Sequence, residues 1–153
     1  MRFFALTITI IFSYVATLNA DEQKWPEGSA AANTQGAAQT RDYFERLLSK
    51  KYLELIELVS KNGNDGDLVE ALRKQEGSWL KYRVDECKLI GYLSGAGGLW
   101  PVARQVACEA NLTDLRFRTV RHAVRCIERI PSAERAIGQN GCLYQLAPLS
   151  MGK

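Results

Sequence analysis

Four cysteines are the residues with the most chemistry to offer, and they stand at Cys87, Cys108, Cys126 and Cys142. Thiols in this number can bind zinc, act as nucleophiles or pair as disulfides. No two of them have the CxxC spacing of a zinc site, and the chain has a single histidine, His122. In a small chain whose N-terminal residues predict export, an even number of cysteines favours disulfides. We therefore expect two disulfides and no metal.

Catalytic chemistry has little support in the sequence. His122 has no free cysteine to activate once the disulfides form, and no signature makes two of the acidic residues an acid/base pair. We interpret His122 as a packed or partly exposed helix residue. The sequence therefore predicts a protein that is not an enzyme and needs no cofactor.

The N-terminus predicts export. Arg2 is followed by the apolar run 3–15, and Ala20 is the small residue that signal peptidase requires. The competing interpretation is a retained membrane anchor, for which the run is short. Removing residues 1–20 as a signal peptide lowers the formal charge from +3 to +2, too little to indicate a partner. We expect a periplasmic or secreted protein without a nucleic acid partner.

Three disulfide pairings are possible for four cysteines. We prefer Cys87–Cys108 with Cys126–Cys142, because each bridge then closes a local loop of roughly twenty residues and contributes about 3 kcal/mol. Direct pairing of Cys108 with Cys126 is excluded on one straight helix, where roughly 27 Å would separate them.

The rest of the pattern predicts an all-α fold, either a disulfide-stapled helical hairpin or a three-helix bundle. A flexible leader at 21–40, rich in small and polar residues, precedes a helical domain at 41–153. Within it, we expect long helices at about 41–61, 67–90 and 101–130. A short helical turn is expected near 133–137.

The second and third helices each carry a stripe of residues predicted to pack between helices. On the third helix the steps are four and three residues, and a glycine-rich connection at 91–98 joins the two. The second helix contributes Trp79, Tyr82, Arg83, Glu86, Cys87 and Ile90. The third contributes Cys108, Leu112, Leu115, Thr119, Ala123, Cys126 and Ile130.

Residues 75–120 contain a pattern of spaced residues that resembles the N-terminal domain family of the lysozyme inhibitor LprI. The pattern is Gln75-x-x-x-Trp79-x-x-Tyr82-Arg83-x-x-x-Cys87, the glycine-rich connection, and Cys108-x-x-x-Leu112-Thr113-x-x-Arg116. The resemblance implies a small helical protein of the bacterial envelope, and some members of the family inhibit lysozyme. We interpret Trp79, Tyr82, Arg83, Thr113 and Arg116 mainly as residues that hold the hairpin together, with Arg116 reaching Glu76 or Glu86.

The connection between the helices is a candidate interface, because Tyr92, Leu93 and Trp100 are anchors of the kind that interfaces use. Ser94 adds a hydroxyl that could enter a saccharide-binding cleft. The alternative is a turn whose aromatic residues only cover the Cys87–Cys108 bridge.

Two functions follow from these patterns. The first is inhibition of lysozyme or a related cell-wall hydrolase by steric occlusion of its cleft. The second is a non-catalytic envelope protein that binds anionic wall or membrane components. A row of arginines on the third helix would serve the second function, although we prefer a solvated helix face as its explanation. These arginines are Arg118, Arg121, Arg125 and Arg129.

Overall fold

The computed structural model describes residues 25–62 and 66–147, and it confirms the all-α prediction. Three long helices are followed by a short one: α1 is Ala30–Asn62, α2 is Gly66–Leu93, α3 is Trp100–Arg129 and α4 is Arg135–Leu143. Short 3-10 turns at Ser132–Glu134 and Tyr144–Leu146 flank α4, and the described residues contain no strand.

Helix α3 is the centre of the bundle. Cys87 bonds Cys108 and Glu76 pairs with Arg116, so α2 runs antiparallel to α3. Phe44 of α1 packs on Phe117 of α3, and α1 and α3 run parallel. Helices α1 and α2 touch each other at few positions, so each is held mainly by α3.

Both predicted disulfides are confirmed. Cys87 and Cys108 join the end of α2 to the start of α3 with their Cα atoms 5.4 Å apart. Cys126 and Cys142 join α3 to α4 with a Cα separation of 5.6 Å. Each bridge lies beside a reversal of the chain, as we predicted from the preference for short disulfide loops.

The start of α1 differs from its sequence prediction. The helix begins at Ala30, so residues 30–40 of the predicted flexible leader are helical. Ser29 caps it, because its Oγ accepts the Ala32 N–H at 3.2 Å. Alanine is the best helix former, so the composition that we interpreted as a leader favours helix once α3 lies alongside. The predicted signal peptide 1–20 and residues 21–24 lie outside the described residues.

The buried face of α3 also differs from its prediction. Leu115, expected in the packed stripe, is 58% exposed, whereas Thr113 and Arg116 are buried with Val120 and Ile127. The sequence prediction was based on apolar residues alone. Thr113 and Arg116 are stable in the interior because they have polar partners there. The core consists of buried residues of all four helices and the last turn. They are Leu48, Leu55, Ile56, Val59, Leu72, Val120, Ala123, Val124, Ile127, Cys142, Leu143 and Leu146.

Residues after α3 are more helical than predicted. The expected turn near 133–137 extends into α4, which continues to Leu143. Gln139, Cys142 and Leu143 are buried, so packing against α3 outweighs the low helix propensity of two glycines.

The crossing of α2 and α3 depends on Gly91. A Cβ at this position would lie 2.8 Å from the Pro101 carbonyl oxygen, too close for any real contact. We expect Gly91→Ala to lower the free energy of unfolding by about 1–3 kcal/mol in urea titrations. Gly77→Ala is the matched control in the same helix, where no atom lies within 4 Å. It should raise the free energy of unfolding by about 0.5–1 kcal/mol, and equal effects at both sites would contradict the close approach.

Candidate functional site

The end of the α2–α3 hairpin is an exposed apolar surface. We call residues 88–104 the α2–α3 tip, which comprises the last turns of α2, the connection and the first turn of α3. Seven of its large apolar side chains are exposed, among them Tyr92 and Leu93, each at 71%. The set is Leu89, Ile90, Tyr92, Leu93, Leu99, Trp100 and Val102. Exposed apolar patches of this kind mark interaction sites in soluble proteins.

The α2–α3 tip is held in one shape by local constraints. The Cys87–Cys108 bridge closes its base, and Gly95 and Gly98 adopt positive φ angles of 62° and 65° that favour glycine. The Ala103 N–H donates to the Leu99 carbonyl oxygen at 3.0 Å, which secures the first turn of α3. The apolar side chains therefore stand on a stapled frame.

The predicted interface residues all belong to the α2–α3 tip. Tyr92, Leu93 and Trp100 are exposed, whereas Ser94 is half-buried. The Ser94 Oγ donates to the Gly91 carbonyl oxygen at 2.8 Å, so its hydroxyl already has an internal partner. A binding role for these four residues stays a prediction.

Sequence reasoning missed part of this surface. Leu89, Leu99 and Val102 were not singled out, and Ile90 was assigned to interhelical packing although it is 41% exposed. The high density of large apolar residues within 89–102 was the sequence signal that could have identified them. The prediction failed because α2 packs chiefly on α3, which leaves several of its apolar positions uncovered.

Most of the family-motif residues, unlike Tyr82, converge on the interior. Arg83, itself buried, donates from Nη1 to the Thr113 Oγ1 at 2.8 Å and pairs with the Glu45 Oε1 at 2.7 Å. Its guanidinium carbon lies 5.5 Å from the centre of the Trp79 ring. One arginine therefore ties all three long helices together, with a cation–π contact beside it.

Arg116 forms a second cluster of polar contacts within the α2–α3 hairpin. It pairs with Glu76 at 2.7 Å, as one of the two predicted partners, and it also donates to Gln75. Its Nη1 donates to the Leu146 carbonyl oxygen at 3.0 Å, and its guanidinium carbon lies 5.4 Å from the Trp79 ring centre. We call Arg83, Arg116 and these partners the arginine network.

Burial also acts on Tyr52, which lies near the arginine network. Burial, reinforced by the negative charge of Glu76, raises the pKa of Tyr52 to about 12, so its hydroxyl stays protonated. Within the described ranges, the Tyr52 Oη and the Arg83 Nε have no hydrogen-bond partner. On α1, the hydrogen bond with Glu109 raises the pKa of Arg41.

Comparison with known proteins gives one match. The family model described as lysozyme inhibitor LprI matches residues 20–119, which are 100 of the 153 residues. This chain belongs to the LprI family. No curated protein and no solved structure matches the chain.

The LprI match extends the resemblance beyond residues 75–120. It includes α1 and therefore Glu45, the partner of Arg83 that the motif did not contain. The Cys126–Cys142 bridge and α4 lie after the matched residues. The LprI description names lysozyme inhibitors, which agrees with a non-catalytic protein of the extracytoplasmic space.

A groove of about 590 Å³ runs between α2, α3 and residues 145–147 of this LprI chain. Tyr82 lines this groove and is 47% exposed. We expected this motif residue to pack between the helices, and that prediction was wrong. Leu112 and Leu115 of the predicted α3 stripe line it as well. The polar residues Gln75 and Gln145 at its walls are already hydrogen-bonded within the chain.

Among the residues that the structure describes, only some arginines of the row on α3 of the LprI chain are without a contact that would compete with an external partner. Arg118 pairs with Asp114 at 2.9 Å, and the Arg121 guanidinium carbon lies 5.3 Å from the centre of the Phe117 ring. Arg125 and Arg129 are exposed.

His122 is exposed and hydrogen-bonded to Gln145. Residues 25–62 and 66–147 hold no group of acidic, histidine or cysteine side chains suited to a metal, and no helix there could cross a membrane.

Proposed function

We propose that this chain is an exported, non-catalytic inhibitor of lysozyme or a related cell-wall hydrolase. Membership of the LprI family supports lysozyme as the class of partner. Two disulfides and the predicted signal peptide support a periplasmic or secreted location. The observation that carries the proposal is the exposed apolar surface of the α2–α3 tip.

The α2–α3 tip would act as a wedge that fills the substrate cleft of the hydrolase. Protein interfaces obtain most of their affinity from a few aromatic and arginine anchors, and Tyr92 and Trp100 are such anchors. The Cys87–Cys108 bridge holds the wedge in shape before binding, which lowers the entropy lost on association. Occlusion needs no bond chemistry and no cofactor.

The proposal is tested by lysis of bacterial cell walls with lysozymes of several classes, with and without the oxidised chain lacking residues 1–20. We expect dose-dependent protection at near-stoichiometric amounts against at least one class. A folded protein that protects against none would overturn the proposal. If that protein also sedimented with walls or anionic vesicles in a salt-dependent manner, the result would favour the envelope-binding function through Arg125 and Arg129.

A further inference from the structure

Charge is distributed unevenly around the α2–α3 tip. No aspartate or glutamate occurs between Glu86 and Glu109, and the charged residues in that interval are Lys88 and Arg104. Both are exposed, and neither forms an ion pair with any residue that the structure describes. The exposed apolar surface is therefore also purely cationic.

Acidic residues border this interval on both sides. Glu109 has a side chain only 9% exposed, and it pairs with Arg41 at 2.9 Å. It also accepts a hydrogen bond from Gln105 at 3.0 Å. On α2, Glu86 is half-buried and Asp85 is exposed one turn before Lys88, so acid borders the α2–α3 tip at the base of its α2 side.

Each cation shares a helix face with an exposed aromatic ring. Lys88 and Tyr92 are four residues apart on α2, and Trp100 and Arg104 are four residues apart on α3. Residues at this spacing lie on the same side of a helix, one turn apart. Two aromatic–cation pairs, one on each helix, therefore flank the connection.

We infer that the α2–α3 tip recognises a carboxylate-lined cleft, with Arg104 and Lys88 directed at the ionised catalytic carboxylate while Trp100 and Tyr92 contact the cleft walls. This inference rests on the proposed function and names the chemistry of its partner. Glycoside hydrolases carry two carboxyl groups in the cleft, and at least one is ionised at neutral pH. A guanidinium group can bind such a carboxylate with two hydrogen bonds, which a water-poor cleft strengthens.

An anionic bilayer is the other surface that would attract a cationic apolar tip. Two cations are too few for stable attachment to such a membrane, because polybasic segments that bind lipids use four to eight. A narrow acidic cleft needs only one or two well-placed cations. The charge of the α2–α3 tip therefore favours the cleft.

The test is a double-mutant cycle by calorimetry with a lysozyme that the chain inhibits. One member of the cycle is Arg104→Gln, and the other is a lysozyme whose ionised catalytic carboxylate is replaced by its amide. We expect either change alone to weaken binding about tenfold and the two together to weaken it little further. Lys88→Gln should show a smaller coupling, because lysine is not bidentate. The control Arg125→Gln should bind as the wild-type chain does.

The possible results separate the two proposals. Inhibition with independent, additive effects in the cycle would overturn the inference and leave the proposed function standing. Absence of binding to every lysozyme and every related cell-wall hydrolase tested would overturn both. Stable binding of the chain to vesicles with anionic lipid, lost in Arg104→Gln, would also overturn the cleft inference. Circular dichroism checks the fold of each variant, which exposed substitutions should leave intact.

Discussion

Arg116→Met should lower the free energy of unfolding by about 3–5 kcal/mol, because it leaves a buried charge without its partner. The Glu76 side chain is 13% exposed and the Arg116 side chain 3% exposed. The substitution also removes the donors to Gln75 and to the Leu146 carbonyl oxygen, the second of which ties the 3-10 turn Tyr144–Leu146 to the hairpin. A loss of this size is a large part of the roughly 5–15 kcal/mol that stabilises a typical domain.

Urea unfolding followed by circular dichroism measures this loss. The control is Arg118→Met on the same helix, where an exposed pair with Asp114 should contribute little to stability. Replacing Glu76 with methionine in the Arg116→Met background should recover part of the loss, because no lone charge then remains. Wild-type stability in Arg116→Met would show that the arginine network does not stabilise the fold.

Tyr92→Ala and Trp100→Ala should each weaken inhibition of the target hydrolase about 30-fold or more. Aromatic hot spots typically contribute at least about 2 kcal/mol when they fill a pocket of the partner. Tyr92 is 71% exposed, so its truncation removes little internal packing. Trp100 is 38% exposed, and its truncation should lower stability modestly as well.

Inhibition constants from wall-lysis kinetics, with helical content measured in parallel, check this prediction. Tyr144→Ala is the matched control, since Tyr144 is an aromatic residue 60% exposed outside the α2–α3 tip. It should inhibit as the wild-type chain does. A loss of helical content equal to the loss of inhibition would make Tyr92 and Trp100 structural residues instead.

The helical hairpin and its bridges could be predicted because their signals are local. Loop closure selected Cys87–Cys108, and Pro101 marked the start of α3 within one residue. The early start of α1 was missed because an alanine-rich stretch folds or not according to what packs beside it. The joint contact of Arg83 with Thr113 and Glu45 was equally hidden, since Glu45 lies far from both in sequence.

The candidate site was predicted only in its centre. Tyr92 and Trp100 border the glycine-rich connection, where exposure follows from the turn itself. Leu89 and Ile90 lie inside a regular helix, and their exposure depends on which neighbouring helix reaches them. Periodicity gives the spacing of such residues but not the helix that covers each side.

The Cys87–Cys108 bridge has a consequence for the response of the chain to proteolysis. It closes residues 87–108 into a covalent ring that contains the whole α2–α3 tip. A protease that cut the exposed connection once would open this ring without separating the two parts of the chain. The arginine network and the core lie outside the cut, so the nicked molecule would keep its helices in place. Only reduction of the Cys87–Cys108 bridge would then break the remaining covalent link between the two parts of the chain.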